Sequence, residues 1–263
     1  MLGLPYGVTV PQLERFFCQF RSESMGEARR DPINRQAVAT FFATATSVIT
    51  EAEILERKVN LVRANQFNVF SLIKPDENKL SDILADLLNS RGRHGQGDRF
   101  LRLLLEQLEM GGGNVATEAV QVEREAPTQG IQRFRRRIDI LVQNGVIVAI
   151  ENKIDSLEQH DQVKDYLDYL RVLSSEWKTP AALIYLTPKG RCPESLTREE
   201  RLAFQEKGRL HCWSYSKHLQ QWLESCRGAC KANKVWYFLA DFSSYIESTL
   251  SRGQPLDQGK EEE

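Results

Sequence analysis

The sequence predicts an α/β fold in which a mixed β-sheet is flanked by helices on both sides and preceded by a helical N-terminal extension. Three observations support this prediction. The first 66 residues have helical periodicity, the segment 115–154 alternates like strands, and strand-like and helical segments follow in turn. We therefore expect an extension over 1–66, a main domain over 67–250 and a disordered polar tail over 251–263.

The helical segments come first along the chain. Apolar residues recur at intervals of three and four over 11–24 and over roughly 34–66. The stretch NKLSDILADLL carries an apolar stripe typical of a helix packed on one face. A Gly-rich break, RGRHGQG, precedes a further helix, for which Asp98 is the expected N-cap.

The β-strands lie in the second half of the chain. Three successive strands are predicted within VATEAVQVERE, RFRRRIDILVQ and VIVAIENKI, and the last two form a hairpin about Asn144-Gly145. The segment QVKDYLDYLRVLSSEW predicts a helix and PAALIYL a fourth strand. HCWSYSKHLQQWLESCRGAC begins as a strand and becomes a helix, and one more amphipathic helix follows it.

Composition excludes several classes of protein. The 263 residues carry a net charge of −1, so no global positive field attracts nucleic acid, and such contact requires a local basic patch. No apolar run reaches the roughly 18–20 residues that cross a bilayer, and the N-terminus lacks a signal-peptide pattern. We therefore expect a cytoplasmic protein without a membrane partner.

The five cysteines predict no disulfide framework. They are odd in number and scattered through a chain large enough to fold without covalent staples, so reduced thiols are expected. A zinc site built from Cys226, Cys230, His211 and Cys212 is the less favoured alternative, because short Cys-x-x-Cys pairs are absent.

The hairpin IDILVQNGVIVAIENKI carries charged residues at the ends of its apolar strands. Glu151 and Lys153 are two apart on one strand, so their side chains leave the same face. A two-residue turn would pair position 139 with 150 and direct Asp139 away from them. A three-residue loop would pair 139 with 149 and bring Asp139 onto their face. The sequence permits both, and clustering requires an odd loop or a bulge.

If these charges cluster, their chemistry favours a divalent cation. Two carboxylates suit a hard ion with open water positions, such as Mg²⁺ or Mn²⁺. Such an ion lowers the pKa of a bound water and stabilises charge on a phosphate. Lys153 could orient or deprotonate that water and oppose the developing negative charge. The alternative is a set of surface ion pairs where the strands emerge into solvent.

Asp139, an eleven-residue spacer and Glu151-Asn152-Lys153 resemble the motif of the PD-(D/E)XK nuclease superfamily. Glu77-Asn78-Lys79-Leu80-Ser81 with DILADLL, and the segment GRHGQGDRFL, are similar to one bacterial branch associated with restriction or phage defence. Gln162 to Tyr166 resembles the Gln-x-x-x-Tyr element of phage-exonuclease-type members. Leu80 departs from that branch, which has histidine there, and this weakens the assignment of Glu77.

The resemblance covers about residues 66–225 and implies a restriction-endonuclease-like sheet with a Mg²⁺-dependent phosphodiester hydrolase site, for which Mn²⁺ may substitute and DNA is the favoured substrate. It implies that Asp139, Glu151 and the Asn152 backbone carbonyl bind metal and that Lys153 is the catalytic lysine. Glu77 would be an auxiliary acid at a metal water or a second ion. Gln162 and Tyr166, one helical turn apart, would position the phosphate or the lysine.

A run of arginines precedes the catalytic strand. Alternation places Arg133, Arg135 and Arg137 on one face and Arg136 on the other. Under the nuclease interpretation the three arginines contact phosphates, which makes binding salt-sensitive. Otherwise they form a solvated face that protects an edge strand.

Two other functions remain open. A catalytically silent subunit could keep the nuclease fold and bind nucleic acid, or assemble with a defence-complex partner such as an ATPase. An unrelated α/β binding protein could carry the hairpin charges as surface pairs. The N-terminal helices are a candidate surface for a homodimer.

Overall fold

The computed structural model describes residues 35–64, 67–110, 120–128, 136–154, 156 and 158–250. The predicted helix over 11–24, the residues Arg133 and Arg135, and the predicted tail over 251–263 lie outside these ranges. The chain divides into two compact units, one ending at Phe67 and the other beginning at Asn68.

The first unit contains one long helix, α1 (Arg35–Arg63), which confirms the helix predicted over 34–66. It carries exposed apolar side chains, among them Val48, Leu61 and Val62. Within the described ranges, no helix combines the length and apolarity needed to cross a membrane. The function of this unit stays a prediction.

The second unit is built on a five-stranded sheet in the order β1-β2-β3-β4-β5. Neighbouring strands are antiparallel from β1 to β3 and parallel from β3 to β5, so the sheet is mixed, as predicted. The strands are β1 (Gln121–Pro127), β2 (Arg137–Gln143), β3 (Ile147–Asn152), β4 (Ala181–Thr187) and β5 (Leu210–Ser214).

Seven α-helices and two π-helical turns are described in this unit. The helices are α2 (Val69–Ile73), α3 (Glu77–Leu88), α4 (Arg99–Gln107), α5 (Gln162–Trp177), α6 (Arg198–Glu206), α7 (Gln220–Ala229) and α8 (Asn233–Tyr245). The π-helical turns are Tyr215–Leu219 and Ile246–Leu250.

Two helix starts differ from the sequence analysis. Asp98 precedes α4 as predicted but makes no capping hydrogen bond, because its carboxylate pairs with Arg102 at 2.7 Å. Helix α6 was not predicted. Its start carries a complete capping box in which Thr197 and Glu200 each bind the backbone of the other, and this signal is present in the sequence.

Helices cover both faces of the sheet, as predicted. Along β3, Val148 and Ile150 belong to a core shared with α3, α4, α7 and α8. Ile147 and Ala149 point the other way, into a second core formed largely with α5. This alternation places consecutive residues at the end of β3 on opposite sides of the sheet.

The β2–β3 hairpin has an odd loop, but neither of the two registers considered above is correct. Val142 pairs with Val148, Leu141 with Ala149 and Ile140 with Ile150. Three residues, 144–146, separate the strands, with positive φ at Asn144 (68°) and Gly145 (111°). Val146 is buried in the first core instead of pairing across the hairpin. Extending the observed register by one residue places Asp139 opposite Glu151.

The expectation of reduced thiols is wrong for one pair of cysteines. Cys192 and Cys212 form a disulfide whose Cα atoms lie 5.3 Å apart. Cys226 and Cys230 are free thiols. Because Cys212 is in the disulfide, it cannot be a thiolate ligand of the alternative zinc site.

Candidate active site

The end of β3 brings a carboxylate and an amine together below the protein surface. Lys153 Nζ lies 2.8 Å from Glu151 Oε1, and the two side chains are 9% and 1% exposed. This confirms that both leave the same face and excludes a pair of solvated surface charges. Glu151 Oε1 also accepts a hydrogen bond from Gln162 Nε2 at 2.8 Å, whereas Glu151 Oε2 is buried and has no hydrogen-bond partner among the described residues.

Asp139 joins this cluster from β2. Its Oδ2 accepts a hydrogen bond from the backbone N–H of Asn152 at 2.7 Å, next to Glu151 in the chain. The side chain of Arg124 donates to the Asp139 carbonyl and pairs with Asp82 on α3 at 2.9 Å. The odd loop has therefore placed two carboxylates and one lysine at one point of the sheet.

Burial and the neighbouring charges shift the pKa values of all three groups. Burial raises the pKa of Glu151 to about 8, and the neighbouring Asp139 charge adds to this rise while Lys153 opposes it. Burial also raises the pKa of Asp139, partly offset by the Asn152 N–H. Burial alone would lower the pKa of Lys153, but the Glu151 carboxylate outweighs it and that pKa is raised.

Glu77 reaches the site from the first turn of α3, which Asp76 caps by accepting from the Lys79 N–H at 2.8 Å. Its Oε2 accepts from the backbone N–H of Ile154 at 2.9 Å, and both carboxylate oxygens lie within 3.0 Å of Ser156 Oγ. The Glu77 charge contributes to the raised pKa values of Asp139 and Lys153. Glu77 therefore lies beside the cluster, held by the loop that follows β3.

The side chain of Asn152 lies on the opposite side of β3 from Glu151. Its Nδ2 donates to the Glu77 carbonyl at 3.1 Å and to Ser81 Oγ at 3.0 Å, and its Oδ1 accepts from the Tyr215 hydroxyl at 2.8 Å. The sequence analysis assigned no role to this side chain, to Tyr215 or to Ser156. Two signals were available: Ser81 lies within the quoted Glu-x-x-x-Ser segment, and Tyr215 lies within SYSKHLQQWL, which also resembles that bacterial branch. Ser156 carried none.

Gln162 and Tyr166 lie one turn apart on α5, and their side chains meet at 2.9 Å. Gln162 contacts Glu151 directly, as described above. Tyr166 is fully buried, and its hydroxyl donates to the Arg137 carbonyl. The ring lies in the core and its hydroxyl holds β2 and Gln162, and a contact of Tyr166 with nucleic acid stays a prediction.

The two described arginines of the run have different surroundings. Arg137 is 70% exposed and pairs with Glu125 at 2.8 Å. Arg136 binds Asp165 at 3.1 Å and Gln159 at 2.6 Å, on the α5 side of the sheet. Arg136 therefore supports the fold. Of the two, Arg137 has the side chain that is exposed enough to contact a substrate strand.

The Gly-rich segment before α4 is ordered by its own histidine. His94 Nε2 donates to the Asn89 carbonyl at 2.9 Å, and Nδ1 accepts from the Gln96 N–H at 3.0 Å. A Cβ at Gly92 would lie 2.3 Å from the Asp86 carbonyl, so glycine is required there. These bonds show that His94 orders the loop.

The cluster offers oxygen ligands of the kind that hard divalent cations prefer. Asp139 and Glu151 supply carboxylate oxygens from adjacent strands, and within the described ranges Glu151 Oε2 is a buried acceptor without a donor. Among the described residues, no three His, Cys, Asp or Glu side chains are grouped closely enough to hold a metal. The Asp139 and Glu151 carboxylates fit a divalent ion that would complete its coordination with water.

Comparison with known proteins gives one match. A family model described as PD-(D/E)XK nuclease superfamily matches residues 67–243, which include α2 to α7, all five strands and every site residue named above. No curated protein and no solved structure matches the chain.

Proposed function

Because the chain belongs to the PD-(D/E)XK nuclease superfamily, we propose that it is a divalent-metal-dependent nuclease that hydrolyses phosphodiester bonds. DNA is the favoured substrate and Mg²⁺ the favoured ion, with Mn²⁺ able to replace it. One observation carries the proposal: Glu151 is buried beside Asp139 on the next strand, with one oxygen bound to Lys153 and the other without a donor in the part of the chain that the structure describes. A buried carboxylate left in this state is costly unless a cation completes its surroundings.

Each residue has a distinct part in this proposal. Asp139, Glu151 and the Asn152 carbonyl would hold the ion, which supplies a water of lowered pKa and offsets charge on the phosphate. Lys153 is placed to donate hydrogen bonds to the attacking water or to a phosphate oxygen. Gln162 holds Glu151 Oε1 in place. Glu77, whose charge contributes to the raised pKa of Asp139, would bind a water of the ion.

The protein's net charge of −1 leaves the binding of nucleic acid to local groups. Arg137 is exposed at the start of β2, two residues before Asp139. We propose that it contacts a phosphate near the cut site, displacing Glu125, and that Arg133 and Arg135 extend this contact. A role in anti-phage defence, with an ATPase as possible partner, rests on the resemblance of the α3 and Gly-rich segments alone.

The alternative is a catalytically silent subunit that keeps the fold. It is the weaker proposal because the two acids and the lysine are all present and lie together. Such a subunit has no need to bury a carboxylate beside a second one.

The test is incubation of the purified protein with linear duplex, circular duplex and single-stranded DNA, and with RNA, each with Mg²⁺ or with EDTA. We expect cleavage of DNA that requires Mg²⁺. Binding of nucleic acid without cleavage, with Mg²⁺ or with Mn²⁺, would support the silent subunit. Cleavage of RNA alone would correct the substrate and keep the reaction.

A further inference from the structure

We propose that the side chain of Asn152 is a positioning residue that ties α3 to the end of β3 and so holds Glu77 beside Asp139 and Lys153. The inference rests on the proposed function, because it concerns the same site. It assigns a role to the middle residue of Glu151-Asn152-Lys153, whose side chain faces away from the two charged neighbours.

The hydrogen-bond chemistry allows one orientation of the Asn152 amide. The Glu77 carbonyl can only accept, so the amide group 3.1 Å from it must be the NH₂ of Asn152. Ser81 Oγ donates to that same carbonyl at 2.9 Å and is therefore free to accept the second N–H of Asn152. Tyr215 then donates to Oδ1 at 2.8 Å. The amide thus joins β3, α3 and the π-helical turn after β5.

The setting of Asn152 argues against a role in packing alone. Its neighbours on this face of β3, Val148 and Ile150, are buried apolar residues, whereas Asn152 is 0% exposed and polar. A fully satisfied buried amide contributes little net stability over an apolar residue of similar shape. Its hydrogen bonds instead determine which atoms of α3 lie at the end of β3.

These bonds act on the active site through Glu77 and Asp139. Asn152 binds the Glu77 backbone from one side, while Ile154 and Ser156 bind the Glu77 carboxylate from the other. The Asn152 backbone N–H holds Asp139 Oδ2. Loss of the side chain releases the first turn of α3, and Glu77 moves away from Asp139 and Lys153.

The test is the affinity for Mg²⁺ and Mn²⁺, measured by calorimetry without nucleic acid, in wild type and in Asn152→Ala. We expect about 10- to 100-fold weaker binding in the variant, the usual effect of losing a residue that orients metal ligands. Asn68→Ala is the matched control. Asn68 also bridges two segments, capping α2 and donating to the Asp241 carbonyl at 2.7 Å, and its loss should lower the melting temperature without changing the metal affinity.

Ser81→Ala provides a second variant if Asn152→Ala does not fold. It removes one hydrogen bond of the amide, and we expect about 3-fold weaker metal binding, the worth of one net hydrogen bond. The melting temperatures of Asn152→Ala, Ser81→Ala and the double variant should be non-additive, since both single changes remove the same bond. If Asn152→Ala folds, additive changes in melting temperature would show that Asn152 and Ser81 do not share a bond. This result would overturn the proposed link between α3 and β3.

The outcomes separate this inference from the proposed function. Wild-type protein that neither binds a divalent ion nor cleaves nucleic acid overturns both. Wild-type protein that binds and cleaves, with unchanged metal affinity in the Asn152 and Ser81 variants, overturns the inference and leaves the nuclease assignment intact.

Discussion

The Lys153 ammonium lies 2.8 Å from Glu151 Oε1, with both side chains more than nine-tenths buried. The pair forms where β3 leaves the core, and Asp139 lies on the neighbouring strand. When both carboxylates are ionised, the lysine balances one of them and the cluster keeps an excess of negative charge. This excess makes the site suited to a divalent cation and sensitive to pH.

We predict that Glu151 makes the metal-free protein less stable as pH rises from about 4.5 to about 8. Its pKa is raised from 4.5 to about 8 by burial and by Asp139, so the unfolded chain loses the proton first. The folded state then binds more protons than the unfolded one, and stability falls with pH across this window and is constant above it. Urea unfolding in EDTA at pH 5, 6, 7 and 8 measures this.

Glu151→Gln provides the reference, because it keeps the acceptor for Gln162 but cannot ionise. The difference in free energy of unfolding between wild type and the variant should fall by at least about 1 kcal/mol, the equivalent of one pKa unit, between pH 5 and pH 8. Parallel curves for the two proteins would show that Glu151 titrates at its ordinary pH.

We predict that Lys153→Ala lowers the rate of cleavage by at least about 100-fold, the effect of removing a group that stabilises developing charge. The variant should remain folded, because at neutral pH an unpaired Glu151 can take up a proton. Circular dichroism and single-turnover cleavage test the two parts separately. Lys164→Ala is the control, since Lys164 lies on α5 and pairs with Glu200 at the surface. Equal loss of activity in both variants would contradict a specific role for Lys153.

We predict that Asp165→Ala destabilises the protein by about 3 kcal/mol, because it leaves the Arg136 guanidinium buried without its carboxylate. The side chains of this pair are 12% and 6% exposed. Asp168→Ala breaks an ion pair with Arg171 on the same helix, where both side chains are about two-thirds exposed, and should cost less than about 1 kcal/mol. Chemical denaturation measures the free energy of unfolding of the two variants. Equal losses would show that the Arg136–Asp165 pair contributes no more than a surface ion pair.

We predict that Arg137→Ala weakens DNA binding and lowers the slope of log affinity against log salt concentration by about 1, the contribution of one phosphate contact. Binding is measured in Ca²⁺ or with a cleavage-deficient variant between 50 and 200 mM salt, roughly the range in which such contacts are resolved. Arg171→Ala, on the exposed side of α5, should leave the slope unchanged. An unchanged slope for Arg137→Ala would show that Arg137 makes no phosphate contact and acts only as the partner of Glu125.

The elements of the second unit were mostly predictable from local patterns. Alternation predicted β2 and β3, helical periodicity predicted α3 and α5, and the charged ends of the hairpin predicted the site. The hairpin register was not predictable, because it depends on the packing of Val146 into the core formed by distant helices. Helix α6 was missed despite its capping box, because its apolar residues are few.

The contacts around Asn152 could not have been derived from the sequence. They join residues 71 and 63 positions apart. Strand alternation places Asn152 on the face opposite Glu151 and Lys153, but it does not show which residues of other elements lie there. Tyr166 shows the opposite difficulty. The Gln-x-x-x-Tyr spacing predicted that its side chain would lie near Gln162, but burial, which decides whether a ring can reach substrate, depends on the whole second core.

The central claim is that Asp139 and Glu151 hold the ion on which cleavage depends. It is tested most directly by the Mg²⁺ dependence of cleavage of a labelled linear duplex by wild type, Asp139→Asn, Glu151→Gln and the surface control Asp168→Asn, all verified as folded. We predict saturable Mg²⁺-dependent cleavage by wild type and Asp168→Asn, and rates at least about 100-fold lower for the other two. Wild-type rates in Asp139→Asn and Glu151→Gln would contradict the assignment of the site.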